Sequence, residues 1–277
     1  MSDNRKRVRL HEILAASEGA IAPGITDPLF ARLVQDSGYS VIHLSGNAIH
    51  KTFCLPDRDL VTVTEIATRA ARISEVTDVP LIVDAGTCRS QSGYVARAVR
   101  VLERAGAAAI RFEDSAVGAD EGNIVQRARI RPKNAMVQLI KAAADARADR
   151  SLVIVARCDA RRVESLEAVQ ERLGSYAEAG ADAVGVQISD PEELFEIGRN
   201  APRPLVSLWP RNKMSALQFL QSGFRVALMP SSVSLAAVAA ARQMLIELMQ
   251  NGTERDYFGR IKDIEAADRW YRTLGDG

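Results

Sequence analysis

Three acids and one arginine carry most of the chemistry open to this chain: Asp57 in "CLPDRD", Asp84 closing "LIVD", Glu113 in "RFED" and Arg157 in "VARCDA". Carboxylates are the hard oxygen donors that Mg2+ prefers, and Mg2+ keeps several waters while touching protein through one or two of them. Mn2+ takes the same donors. Arg157 offers a planar fork that matches a substrate carboxylate. Ser45 and Gly46, in "SGN", add a hydroxyl and backbone N–H groups for a second anionic oxygen, and Gln187 adds an amide. Such a set could hold a small 2-oxo or 2-hydroxy acid, with the metal polarising its oxygen and stabilising an enolate. Each residue also has a plainer use. A lone Asp at a strand end caps a helix, Arg157 and Asp159 pair with each other, Glu113 and Asp114 sit solvated in a loop, and Ser45 caps a turn. His11, His43 and His50 show no ligand spacing and read as structural or surface residues.

These residues share a chemistry only if the fold brings them together. The chain repeats a short β-rich run, a polar loop and an Ala/Leu/Arg-rich stretch with helical spacing. The runs are "AIAPG" (20–24), "SVIHLSG" (40–46), "PLIVDAG" (80–86), "AAIRFED" (108–114), "LVIVARCDA" (152–160), "DAVGVQIS" (182–189), "PLVSLWP" (204–210) and "RVALMPS" (225–231). Strands alternating with helices imply parallel pairing, and continuous apolar runs imply burial on both faces. The pattern predicts an α/β fold, a (β/α)8 TIM barrel; no Gly-rich dinucleotide fingerprint follows the first strand to favour an open doubly wound sheet. Active sites of such barrels lie at the C-terminal ends of the strands. Ser45, Gly46, Asp84, Glu113, Arg157 and Gln187 all fall there, and Asp57 lies in an unusually long second loop. The expected organisation is one domain over 1–277, with a barrel over about 18–245 and a helical extension over about 246–277.

Composition narrows the partners. Net charge is +1, from 36 basic and 35 acidic residues, so no strong field points to nucleic acid or an anionic membrane. The apolar runs read as too short to span a bilayer, and the N-terminus shows no apolar core followed by a small-residue cleavage site. Cys54, Cys88 and Cys158 are far apart and form neither a disulfide framework nor a zinc pattern, as expected of reduced thiols in a cytoplasmic protein.

The segments "GITDPLFARLVQDSGYSVIHLSG", "LPDRDLVTVTEIATRAARISEVTDVPLIVDA", "AVRVLERAGAAAIRFED" and "LVIVARCDA" resemble the isocitrate lyase/phosphoenolpyruvate mutase superfamily over residues 18–245. The likeness is greatest to its short methylisocitrate lyase, oxaloacetate decarboxylase and carboxyphosphonoenolpyruvate mutase members. The resemblance implies a barrel with Mg2+ and an α-oxo acid enolate at its C-terminal face. It also implies a homotetramer, a dimer of dimers whose subunits exchange a C-terminal helix. On it, Asp84 matches the direct metal ligand, and Asp57 and Glu113 match acids that hold metal-bound water. Ser45 and Gly46 match the carboxylate-binding segment, and Arg157 matches the substrate-binding arginine.

Four positions depart from the family pattern. Gly86 stands where relatives place a second acid after the third strand. The segment "SAVGADEGNIVQRARI" has no Cys, Lys or His where isocitrate-type lyases carry a proton-donating cysteine. Gln187 replaces a Pro-Glu-Ala strand end, and "SLWPRN" replaces an Asn-Met. Loss of the loop cysteine favours a reaction whose enolate can take its proton from water, such as oxaloacetate decarboxylation. The resulting expectation is a carbon–carbon lyase or decarboxylase for an oxaloacetate- or substituted-malate-like acid. The alternatives are phosphonopyruvate-type chemistry, for which Asn123 is the loop candidate, and a non-catalytic organic-acid-binding protein.

Overall fold

The computed structural model describes residues 3–56, 60–85, 92–116 and 129–274, in which the chain forms two compact units, Met1–Ser232 and Val233–Gly277. The first is a closed parallel barrel. Its strands are β1 (Ala20–Ile25), β2 (Ile42–Leu44), β3 (Leu81–Asp84), β4 (Ala109–Glu113), β7 (Val153–Cys158), β8 (Ala183–Val186), β9 (Leu205–Leu208) and β10 (Phe224–Met229). They close in the order β1-β10-β9-β8-β7-β4-β3-β2, and each expected run supplies one of them. Two short antiparallel strands, β5 (Ser115–Ala116) and β6 (Arg129–Ile130), follow β4 and bracket residues 117–128.

Local chemistry starts the helices where the strands stop. Asp27 accepts from Phe30 N ahead of helix Pro28–Asp36, Ser165 accepts from Ala168 N, and Asp190 accepts from Glu192 N and Glu193 N ahead of Pro191–Asn200. Thr62 and Glu65 close a reciprocal capping box on helix Val63–Val76. Such caps satisfy the orphan N–H groups that every helix start leaves open.

Alternate residues of a strand share a face. In the barrel those faces form a buried apolar cluster that includes Ile82, Ala109, Val153, Val155, Ala183, Val206 and Val226. Leu10 and Leu14, from the N-terminal helix Asp3–Ala15, join the cluster. That helix is held by Arg7, which donates to the carbonyls of Ala107 and Glu103 and pairs with Asp149. Two positions past Ile82 and Ala109 in the same phase come Asp84 and Arg111, and two past Val155 comes Arg157. The polar site is thus the direct continuation of the apolar layers, one step nearer the strand ends.

The second unit carries helices through Asn251, then Arg255–Gly259 and Ile264–Arg272. Arg260 pairs with Glu247, and the Tyr257 hydroxyl donates to the carbonyl of Ala240. Helix Ser232–Asn251 corrects one expectation: it is long and apolar enough, by length and composition, to cross a membrane. Its alanines lengthen the apolar stretch without the large side chains that mark a spanning run to the eye.

Truncating Leu10 to Ala removes a buried apolar group from the core cluster of the barrel. It is expected to cost about 2–5 kcal/mol of unfolding free energy in denaturant titrations while leaving ligand affinity at the strand ends unchanged.

Candidate active site

Asp84 ends β3 in register with Arg111 of β4. The Arg111 guanidinium grips it with two bonds, Nε to Oδ1 at 2.6 Å and Nη2 to Oδ2 at 2.7 Å. His43 Nε2 meets Oδ1 at 3.0 Å, and the backbone N–H of Gly46 donates to Oδ2 at 3.3 Å. An ionised carboxylate can only accept, so His43 carries its proton on Nε2. Burial would raise the Asp84 carboxyl, yet the charges of Arg111 and His43 and their hydrogen bonds outweigh it and hold the group well below the usual carboxylate range. Burial likewise works against the Arg111 charge, and Asp84 overrides it and raises that group.

A second cluster lies on β4 and β7, where Glu113 is in register with Arg157. Arg157 donates from Nε to Asp159 Oδ1 at 2.6 Å, from Nη2 to Asp159 Oδ2 at 3.0 Å and from Nη1 to Glu113 Oε2 at 2.9 Å; Nη2 also meets Gln187 Oε1. Ser115 Oγ donates to Glu113 Oε1 at 2.7 Å. Glu113 is pushed up, by burial first; Arg157 pulls it down and the Asp159 charge pushes it up again. Behind this cluster Asp114 is fully buried and accepts from the Asp159 backbone N–H at 2.7 Å and from the Tyr176 hydroxyl at 2.8 Å. Burial raises its carboxyl too, against those bonds. Asp114 therefore anchors the Asp159 turn and is not one of the groups open to a ligand.

The structure brings together Ser45, Gly46, Asp84, Glu113, Arg157 and Gln187 as one set of strand ends. Asp57 lies outside the described residues, as do Gly86, Cys88 and Asn123. Ser45 acts as the helix cap foreseen for it, accepting from Ala48 N, and the Gly46 N–H is committed to Asp84. Arg157 and Asp159 do pair. Two residues were missed. His43, expected to be structural or surface, is fully buried with its ring on Asp84. Arg111 was not considered at all, although a charge two places before Glu113 in a buried strand must face the same way as Glu113.

The resemblance implies a divalent cation on Asp84, and the donor set tests that. A carboxylate has about four lone-pair positions. At Asp84 all are taken, two by Arg111, one by His43 and one by Gly46. A magnesium ligand stands about 2.0–2.1 Å from its ion, which would require one of these donors to leave. Among the described residues, no three His, Cys, Asp or Glu side chains are grouped to hold a metal. The residues described do not fit a cation at Asp84.

Comparison with known proteins adds the lineage. The family model for phosphoenolpyruvate phosphomutase matches residues 10–249. A 2-methylisocitrate lyase of Aeropyrum pernix is 36% identical over 257 residues, covering 91% of this chain and 82% of the relative. Among solved structures, a phosphoenolpyruvate phosphomutase from Streptomyces platensis subsp. rosaceus superposes with a TM-score of 0.85 at 25% identity, covering 96% of this chain and 97% of the other. A phosphonopyruvate hydrolase in complex with oxalate and Mg++ has the same fold, with a TM-score of 0.83 at 24% identity and 99% and 98% coverage.

The Asp84 ion pair sets a pH signature. The unfolded carboxyl titrates near about pH 4. A group depressed in the folded state contributes its full stabilisation above that value and loses it as pH falls toward the folded-state value. Asp84→Asn leaves Arg111 buried without its counter-charge, and is expected to cost about 3–5 kcal/mol at neutral pH. In urea unfolding the gap to the unmodified chain should narrow as pH drops below about 4.

Proposed function

The chain belongs to the phosphoenolpyruvate phosphomutase family, and from that premise we propose that it is a lyase or decarboxylase of a small 2-oxo or 2-hydroxy dicarboxylate. The bond broken is carbon–carbon, through an enolate, in an oxaloacetate- or substituted-malate-like acid. The observation that carries the reading is the pair of arginines, Arg111 and Arg157, held at adjoining strand ends by Asp84, Glu113 and Asp159. Paired guanidiniums in a low-dielectric mouth suit a substrate with two anionic ends.

Each residue then has a task. Arg157 orients a substrate carboxylate, with Asp159 and Gln187 fixing the plane of its fork. Glu113 lies beside it, and a carboxyl raised by burial is suited to holding a proton near neutral pH and passing it on. Ser45 and Gly46 follow β2 beside Asp84. Asp57 remains a candidate second acid. Magnesium, or manganese, is the cofactor expected from the family and supplies an electrophile when bound. No step here is routed through it, because Asp84 offers it no free lone pair.

The reading extends to a cytoplasmic protein, consistent with the free thiols Cys54 and Cys158. It takes the chain as one barrel domain with a helical extension, assembled as a dimer of dimers through exchange of that extension. Phosphorus–carbon chemistry is the second reading, favoured by the likeness to the phosphoenolpyruvate phosphomutase.

The test is a panel of oxaloacetate, 2-methylisocitrate, 2,3-dimethylmalate and phosphonopyruvate, with Mg2+ present and pyruvate release as readout. Release from one of the first three is expected. Release from phosphonopyruvate alone would select the second reading, and release from none would overturn the lyase. On the active substrate, Glu113→Gln should lower kcat by about 10²–10⁴-fold, and Arg157→Lys should raise KM more than it lowers kcat, because a point charge replaces a fork.

A further inference from the structure

Arg111 has an edge with nothing on it. Asp84 takes its Nε hydrogen and one Nη2 hydrogen, the side-on fork. The end-on edge, formed by Nη1 and the second Nη2 hydrogen, is left over. Nη1 is buried and has no hydrogen-bond partner among the described residues. The side chain as a whole is 4% exposed. A buried N–H of a charged group left unsatisfied is costly, and buried polar atoms without partners are rare enough to ask for an explanation such as an absent ion, water or ligand.

Its surroundings point to what is missing. The guanidinium lies on the carboxylate that the resemblance makes a cation ligand, with every lone pair there filled. Guanidinium is weakly hydrated and forks onto carboxylates, so it tolerates burial and can hold one carboxylate on each of two edges.

We propose that Arg111 replaces the divalent cation: it neutralises Asp84 through its side-on edge and receives the oxygens of a small 2-oxo carboxylate on its end-on edge, so that the site binds its ligand without metal. The inference rests on the enolate reading for the identity of the ligand. Fixed donors that meet a developing oxyanion can stabilise an enolate without a Lewis acid. His43 supports the arrangement from the other side, since its Nε2–H on Oδ1 helps keep Asp84 ionised and so keeps Arg111 in place.

The experiment is calorimetric titration of the full chain with oxalate, an enolate mimic, in EDTA and again in excess MgCl2. Affinities that agree within about twofold are expected. Arg111→Gln should weaken oxalate by roughly 10–100-fold, the value of hydrogen bonds to a charged group. Because that variant leaves Asp84 uncompensated, the charge-balanced double variant Asp84→Asn/Arg111→Gln is measured beside it and should show the same loss. Oxalate binding that appears only with MgCl2 would overturn the replacement while leaving the lyase reading intact. Undiminished binding by the double variant would overturn it as well. Absence of oxalate binding in both buffers, with pyruvate still released in the substrate panel, would overturn this inference alone; absence of both would end the two readings together. The comparison of the unmodified chain in the two buffers decides the matter even if neither variant folds.

Discussion

One buried ion pair organises the mouth of this barrel. Asp84 and Arg111 sit in register on neighbouring strands, both nearly free of solvent. Taking two charges out of water costs several kcal/mol each, and their attraction repays this only when the geometry is good and the remaining hydrogen-bonding positions are filled. On Asp84 they are filled, by the side-on guanidinium, the His43 ring and the Gly46 N–H. On Arg111, Nη1 has no hydrogen-bond partner among the described residues. The pair is therefore complete on its acidic side and unsatisfied on its basic side.

The rest of the fold serves to hold that pair still. Apolar residues fill the barrel in the same side-chain phase one step below it, and the N-terminal helix adds Leu10 and Leu14 to that cluster. Asp114 and Tyr176 brace the turn that carries Asp159, and Asp159 with Glu113 sets the fork of Arg157. Each guanidinium is thus pinned through its carboxylate to a strand of the barrel, and little reorganisation is left to be paid when a ligand arrives.

The barrel was legible in the sequence because its two periodicities are strong: continuous apolar runs for the strands, and Ala/Leu/Arg-rich stretches with helical spacing between them. Ser45, Asp84, Glu113, Arg157 and Gln187 do lie at the strand ends, where the rule for barrel active sites put them. What it could not weigh was the partner of each charge. Asp84 read as a metal ligand from the acids that end beside it and from the resemblance; its cross-strand partner lies 27 residues on, inside a run that looked apolar. Parity along "AIRFE" carried the information, since Arg111 and Glu113 must share a face. His43 was passed over for a similar reason. A histidine without ligand spacing looks structural until the cross-strand neighbour that it serves is known.

The central claim is that a guanidinium occupies the place of a cation. A crystal structure of the protein grown with oxalate and MgCl2 tests it most directly. The account expects the Asp84–Arg111 pair intact, an oxalate oxygen within hydrogen-bond distance of Arg111 Nη1, and no metal ligated by Asp84. A magnesium ion coordinated by Asp84 and oxalate, with Arg111 turned away from the carboxylate, would contradict it.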